Sequence, residues 1–357
     1  MRDRGSAAKG DDHMNTECLK IRGLKFVFYS GEVFIKAVEG VDLDVHEGEC
    51  VAIVGESGCG KSVTSLSLMQ LVQRPQGQTV EGEIRFNSGD KVYNIVNTPI
   101  TEMQKLRGNA MSMIFQEPMT SLNPVFRIGE QVDEIVALHN PTMSKEEVKA
   151  RTIEMLKLVG IANIDGVYRM YPHELSGGMR QRICIAIGLA FNPRLIIADE
   201  PTTALDVTIQ AQILDLLRMI QQELDTATIL VSHDLGVVAR VADRVAIMYA
   251  GKIVEIGTAK EIFYDPRHPY TWGLMQSLPG FSRGQSRLHT IPGMPPSMVH
   301  LPKGDAFAAR NEYALGIDYE QEPPMFQITK THYAATWLLD KRAPKIECPI
   351  KRGRNDE

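Results

Sequence analysis

Cysteine is scarce in this chain. Among 357 residues there are five, Cys18, Cys50, Cys59, Cys184 and Cys348. Odd in number, scattered and without a C-x-x-C pair, they argue against a disulfide framework or zinc ribbon and predict a reducing compartment. Long apolar runs are also missing. The longest, such as Ile183 to Phe191, fall far short of the ~20 residues that cross a bilayer, so the chain itself is expected not to span a membrane. A basic excess is lacking as well: 39 Lys plus Arg against 44 Asp plus Glu leaves −5 with His neutral, which argues against a general nucleic-acid binder. Residues 1–16 contain no apolar core of a signal peptide. Polar, mixed in charge and containing Met14, they read as a disordered leader or an alternative start.

What the chain does have is ordinary globular composition, 43% hydrophobic and 23% charged, enough for a sizeable core in two domains or one domain with an appendage. No internal repeat is visible. Val51 to Val54 is a short apolar run, followed by a glycine-rich turn and then helical spacing over Ser62 to Val72. Ser144 stands three residues before Glu147, a capping box that opens an amphipathic helix running to Gly160. Leu195 to Ala198 and Thr228 to Val231 are continuous apolar runs of the buried-strand type, and between them Ile209, Ile213, Leu216, Leu217, Ile220 and Leu224 share one helix face. Alternating strands and helices predict an α/β fold with a largely parallel sheet covered on both sides. Val245 to Tyr249 and Lys252 to Ile256, flanking Ala250-Gly251, predict a β-hairpin. Past Pro266 the periodicity weakens, and a boundary is placed there.

Three motifs carry chemistry. Gly55-Glu56-Ser57-Gly58-Cys59-Gly60-Lys61-Ser62, with Val63 following, fits G-x-x-x-x-G-K-[ST] between a strand and a helix, the context a phosphate-binding P-loop (Walker A) requires. Backbone N–H groups and the helix dipole cradle phosphate, Lys61 neutralises charge, and the Ser62 hydroxyl is placed to hold Mg²⁺. Cys59 occupies a variable position, its thiol beside a helix N-terminus being a candidate for raised reactivity. Asp199-Glu200 ends a buried strand, where parallel sheets bind ligands: Asp199 for Mg²⁺ through water, Glu200 to polarise the attacking water. Leu175-Ser176-Gly177-Gly178-Met179-Arg180-Gln181-Arg182 places a small hydroxyl and two glycines at the start of a helix, 24 residues before Asp199 (199 − 175), a second anion-binding helix N-terminus.

With these motifs the chain resembles the ATP-binding cassette (ABC) ATPases, whose signature is LSGGQ or a close variant; Met179 replaces the usual Gln. The resemblance covers roughly Leu19 to Pro266. It implies a P-loop NTPase of the ABC type, a RecA-like core with an antiparallel β subdomain and an α-helical subdomain at about 117–190, all within 17–265. It further implies that Ser176, Gly177, Gly178 and Met179 contact the ATP of a partner cassette. Gln116 becomes the glutamine that senses Mg²⁺ and nucleotide, Asp206 in Ala204-Leu205-Asp206 the D-loop acid, and His233 the switch histidine at the γ-phosphate. Tyr29 becomes the aromatic that stacks on adenine, with Phe28 the alternative.

Gln116 to Pro124, Asp199 to Val207, and Arg267-His268-Pro269-Tyr270-Thr271 narrow the resemblance to the oligopeptide/dipeptide-type importer ATPases of prokaryotes. That branch implies ATP and Mg²⁺, and a second ABC ATPase subunit, a paralogue or the same chain. It also implies two membrane permeases, an extracytoplasmic solute-binding protein reached indirectly, and a peripheral place on the cytoplasmic face of the cell membrane. Relatives in the branch import peptides, nickel, glutathione or oligosaccharides, so the solute stays open, peptides being the first expectation. In such proteins the tail carries cluster-ligating cysteines; in 266–357 the aligned positions are Asp305, Asn311, Asp318 and Thr336. Carboxylate, amide and hydroxyl groups do not replace four thiolates, so no iron–sulfur cluster is expected and the four are read as surface replacements. Tyr313, Leu315, Phe326, Trp337 and Leu338 are the tail's expected apolar anchors. Soluble ABC proteins of translation or DNA repair are the alternative class. The single cassette and the mere 59 residues between Gln116 and Leu175 (175 − 116) disfavour it.

Overall fold

The computed structural model describes residues 16–31, 33–72, 75–117, 121–203, 205–278 and 290–350. Residues 1–15 of the expected leader, Pro118 to Thr120 in the stretch after Gln116, and Ala204 lie outside the described residues.

Two sheets form among them. Strands β1 (Glu17–Ser30), β2 (Val33–His46), β4 (Gly77–Asn87) and β5 (Val92–Asn94) make an antiparallel sheet in the order β2-β1-β4-β5. The larger sheet is built from β3 (Cys50–Val54), β6 (Met111–Ile114), β7 (Leu195–Asp199), β8 (Ala227–Ser232), β9 (Arg244–Tyr249), β10 (Lys252–Thr258), β11 (Phe326–Gln327) and β12 (Tyr333–Ala334). Its order is β11-β12-β10-β9-β3-β8-β7-β6. From β9 to β6 every pairing is parallel; β10 turns back antiparallel on β9.

The apolar runs are continuous because both faces of the parallel strands are covered. In β3, Val51 and Ile53 face the antiparallel sheet, packing with Leu19, Ile21 and Phe86, while Cys50, Ala52 and Val54 face the helical side. Strands β7 and β8 divide the same way, Leu195, Ile197, Ile229 and Val231 on one face against Ile196, Ala198 and Leu230 on the other. Burying each such side chain contributes ~2 kcal/mol.

The helices are α1 (Lys61–Leu68), α2 (Ile100–Leu106), α3 (Ile128–His139), α4 (Lys145–Leu158), α5 (Ile164–Arg169), α6 (Gly177–Gly188), α7 (Val207–Leu224), α8 (Leu235–Val241), α9 (Ala259–Tyr264) and α10 (Pro269–Gln276). Helix α1 stops short of the expected Val72 because Gln70 takes φ 47° and the Leu71 N–H turns back to the Leu66 carbonyl, a left-handed C-terminal cap. The Ser144 capping box forms: its hydroxyl accepts the Glu147 N–H at 3.3 Å, and Glu147 accepts the Ser144 N–H at 2.7 Å. The hairpin also forms, Ala250 (φ 44°) and Gly251 (φ 81°) supplying the two positive φ angles of a tight turn.

The tail is joined to the sheet. Tyr333 and Ala334 of β12 pair with Ile256 and Glu255 of β10, adding strands from beyond Pro266 to the cassette's own edge. The expected anchors Tyr313, Leu315, Phe326, Trp337 and Leu338 are only half-buried. The four positions read as surface replacements are instead buried: Asp305 is 7% exposed, Asn311 8%, Asp318 and Thr336 1%. Each accepts a backbone N–H, from Phe307, Tyr313, Leu315 and Leu338 respectively. Short polar side chains can be buried where they cap local turns, although Asp318 Oδ1 is buried without a partner among the described residues; the alignment of positions could not reveal this.

Candidate functional site

The C-terminal ends of β3, β7 and β8 open on one cleft of about 580 Å³. The loop after β3 wraps its floor. Gly60 sits at φ 106°, and a Cβ there would strike the Ala37 carbonyl, so the turn into α1 demands glycine. Lys61 is buried, its Nζ donating to the carbonyls of Gly55 (2.7 Å) and Glu56 (3.0 Å) across the loop. Ser57, Gly58, Gly60, Lys61, Ser62 and Val63 all line the cleft.

From the neighbouring strands come the acids. Asp199 ends β7, and Ser62 Oγ donates to its Oδ1 at 3.1 Å. Burial raises the Asp199 pKa, with that hydrogen bond as the main opposing influence. Glu200 takes φ 47°, a strained backbone for a non-glycine residue, and such strain gathers at functional sites. Its carboxylate is met by three side chains, Gln116 Nε2 at 3.0 Å, Thr203 Oγ1 at 3.0 Å and His233 Nδ1 at 3.2 Å. Gln116 follows β6 and His233 follows β8, so three strand ends meet at one carboxylate.

The fit to Mg²⁺ can be judged from the donors. The Ser62 hydroxyl and Asp199 carboxylate are hard oxygens beside a phosphate loop. No group of three or more His, Cys, Asp or Glu able to hold a metal occurs among the described residues. A hydroxyl and a carboxylate at 3.1 Å suit a hard cation that takes its other ligands from phosphate oxygens and water. The tail positions Asp305, Asn311, Asp318 and Thr336 offer no thiolate and spend an oxygen each on local N–H groups, so they do not fit an iron–sulfur cluster.

Several expected residues stand elsewhere. Tyr29 is not among the residues lining the cleft; its ring packs edge-on against Phe34 at 5.2 Å, and Phe28 lines the cleft with Ile35 and Ala37. Strand alternation sends 28 and 29 to opposite faces. Glu56 turns its carboxylate away from the cleft toward Arg310 of the tail. Cys59 is 6% exposed, and burial raises its thiol pKa, in keeping with a neutral occupant of a variable position and not with raised reactivity. Ser176 caps α6 by accepting the Met179 N–H, and Asp206 caps α7 by accepting the Ile209 N–H. A Cβ on Gly178 would lie 2.6 Å from Ile209 Cγ2, so α6 and α7 approach through that glycine. Ser176 and Gly177 are exposed and do not line this chain's own cleft. Thr203 and Met298 line it without having been foreseen; Met298 comes from the tail, 236 residues beyond Ser62 (298 − 62), and no local motif points to it.

A P-loop, a strand-end Asp-Glu pair, a switch-position histidine and a separate exposed Ser-Gly-Gly helix cap together define an ATP-binding cassette. The family model for ABC transporters matches residues 38–203, and that for the C-terminal region of oligopeptide/dipeptide transporters matches 254–317. The chain is 54% identical over 337 residues to the oligopeptide transport ATP-binding protein OppD of Bacillus subtilis, 94% of this chain and 92% of that protein. To the dipeptide transport ATP-binding protein DppD of Lactococcus lactis it is 51% identical over 328 residues, 92% and 93% respectively. The solved dimeric cassette MJ0796, in a post-hydrolysis state bound to ADP and Pi, superposes with a TM-score of 0.60 at 30% identity, over 68% of this chain and 98% of that one. The chain belongs to the oligopeptide/dipeptide-type ABC transporter ATP-binding proteins.

Proposed function

We propose that this chain hydrolyses ATP in the cleft to power the import of peptides through a membrane transporter. The observation that carries the reading is the meeting of the P-loop, Asp199, Glu200, Gln116 and His233 at the parallel strand ends in a chain 54% identical to an oligopeptide transport ATP-binding protein. In this mechanism the P-loop N–H groups and Lys61 bind the β- and γ-phosphates. Glu200 accepts a proton from the water that attacks the γ-phosphorus as the bond to the β–γ bridging oxygen breaks and ADP leaves, giving phosphate, while His233 and Gln116 fix the Glu200 carboxylate and the γ-phosphate end of the cleft. Ser62, Asp199 and Gln116 would hold Mg²⁺, which supplies charge compensation on the phosphates. Phe28, not Tyr29, is placed to meet the base.

Ser176 and Gly177 are exposed outside this cleft, and with Gly178 and Met179, which seat the cap against the core, they are assigned to the ATP of a second cassette, with Asp206 nearby. Beside Gln116 lies a groove of about 360 Å³ lined by Met113, Ile114, Phe115, Ser121, Cys184 and Ile187; its apolar lining suits the permease subunits. No described helix is long and apolar enough to cross a membrane, so the permeases supply the pathway. The subunit then sits peripherally on the cytoplasmic face, and the external solute-binding protein is reached through them.

Replacing the chromosomal copy with Lys61→Ala tests this directly. Uptake of a labelled oligopeptide should be lost, and two multi-span proteins should co-purify with the tagged chain. Undiminished uptake, or recovery of ribosomes or repair factors in their place, would overturn the reading.

A further inference from the structure

The tail does more than extend the sheet: it reaches the phosphate loop at Glu56. Three groups of Glu56 are engaged by three different partners. Its carboxylate receives Arg310 through two parallel bonds, Nη1 to Oε2 at 2.6 Å and Nη2 to Oε1 at 3.0 Å. Its N–H donates to the Tyr270 hydroxyl at 2.9 Å. Its carbonyl accepts Lys61 Nζ at 3.0 Å. Arg310 and Tyr270 belong to the segment beyond Pro266, and Lys61 is the residue placed to neutralise phosphate. One loop residue therefore connects the tail to the phosphate-binding ammonium.

Arg310 is itself held rigidly. Its side chain is 5% exposed, its Nε donates to the Pro292 carbonyl at 2.9 Å and its Nη1 also reaches the Tyr249 hydroxyl at 3.2 Å. A planar fork gripped on both sides fixes the orientation of the carboxylate it binds, which a lysine ammonium would not. Docking alone has no need of this pair. Tyr249, Tyr270 and Phe307 already pack together with ring centroids 4.7–5.3 Å apart, and a largely buried ion pair is a weak contributor to stability after desolvation. What the pair adds is a fixed position for Glu56, and with it the loop's shape. The same tail delivers Met298 to the cleft wall, where its carbonyl accepts the Lys36 N–H at 3.0 Å.

We propose that Arg310 is a positioning residue of the ATP site: through its two-pronged bond to Glu56, assisted by Tyr270, the C-terminal extension holds the P-loop in the shape that receives phosphate. The proposal rests on the assignment of the cleft to ATP. Mutation should therefore weaken nucleotide binding more than it slows turnover.

The test is a titration of the full-length protein with a fluorescent ATP analogue, alongside steady-state ATPase assays and thermal melts, for wild type, Lys61→Ala, Arg310→Met, Arg310→Lys, Glu56→Gln and the Arg310→Met/Glu56→Gln double variant. Losing a charge-assisted fork is expected to raise Kd and KM about tenfold, with kcat within about twofold and Arg310→Lys intermediate. The double variant should be no worse than either single, because both cut the same link. If Arg310→Met does not fold, Glu56→Gln and Tyr270→Phe carry the same expectation from the loop side. Wild-type Kd and KM in Arg310→Met or Glu56→Gln, with only the melting temperature lowered, would overturn the proposal while leaving the ATP assignment intact. Equal binding by wild type and Lys61→Ala would overturn the assignment and the proposal with it.

Discussion

Two regions of one sheet each surround a glutamate with donors, and only one of the two glutamates lines the cleft. At the β7 end, Glu200 is met by the side chains of Gln116, Thr203 and His233 and borders an open cleft. At the opposite edge, Glu255 on β10 is fully buried and receives the N–H groups of Arg267 (2.6 Å) and His268 (3.1 Å) and the Thr271 hydroxyl (2.5 Å), with His332 Nε2 at 2.8 Å. The Glu255 oxygens are spent on fixed backbone and buried groups, which ties β10, the segment after Pro266 and the β11–β12 tail into one unit. The Glu200 oxygens are met by side chains from separate loops, on a positive-φ backbone, at the wall of the cleft. Residue type does not separate the two; burial and the space that the remaining hydrogen-bonding capacity faces do.

That contrast can be broken at either end. The largest effect is expected at the cleft: Glu200→Gln should lower kcat by about 10²–10⁴-fold, the range for a lost general base, and accumulate ATP-bound dimers on gel filtration. Its unfolding free energy should barely change. Near-normal phosphate release would remove Glu200 from the mechanism.

Next comes the clamp. Glu255→Ala leaves buried donors without an acceptor and should cost about 3 kcal/mol of stability in urea titrations, the protein that stays folded keeping a kcat close to wild type. A wild-type urea midpoint would show that the tail is held by other means.

Smaller, and opposite in sign, is the tail's own carboxylate. Burial pushes the Asp305 pKa up from the ordinary 3.8 to about 6. The folded chain thus holds this proton more tightly than the unfolded one. Its contribution to stability is complete below pH 4 and is lost as pH rises toward 6. Asp305→Asn should accordingly stabilise the protein by about 2 kcal/mol above pH 6 and leave it unchanged below pH 4. Equal melting temperatures for the two proteins at pH 7.5 would sink this account. Smallest is Ser144→Ala, which removes one helix cap: about 1 kcal/mol of stability and no change in ATPase rate, serving as the baseline for the others.

Much of the site was legible in the chain because its chemistry is local. The P-loop, Asp199-Glu200 and the Ser176 cap each depend on a short run of backbone geometry that a few residue types can adopt, so spacing alone reveals them. Hairpin and capping box were readable for the same reason. Which of Tyr29 and Phe28 lines the cleft was not, since the side of β1 that faces it is decided by the strand's register with β2 and β4. Nor could the buried state of Asp305, Asn311, Asp318 and Thr336 be read: their partners are local N–H groups, but what covers them is set by how the tail packs.

By itself, then, the sequence determined the fold class, the phosphate loop, the two acids and the signature helix cap, all consequences of periodicity and short-range backbone chemistry. Tertiary structure alone decided that the tail adds strands to the β10 edge, that Glu56 turns toward Arg310, and that Met298 walls the nucleotide cleft. These contacts join residues far apart in the chain, 254 positions for Glu56 and Arg310 (310 − 56) and 262 for Lys36 and Met298 (298 − 36). Their formation depends on how sheets and turns pack around one core, which no short stretch of sequence encodes.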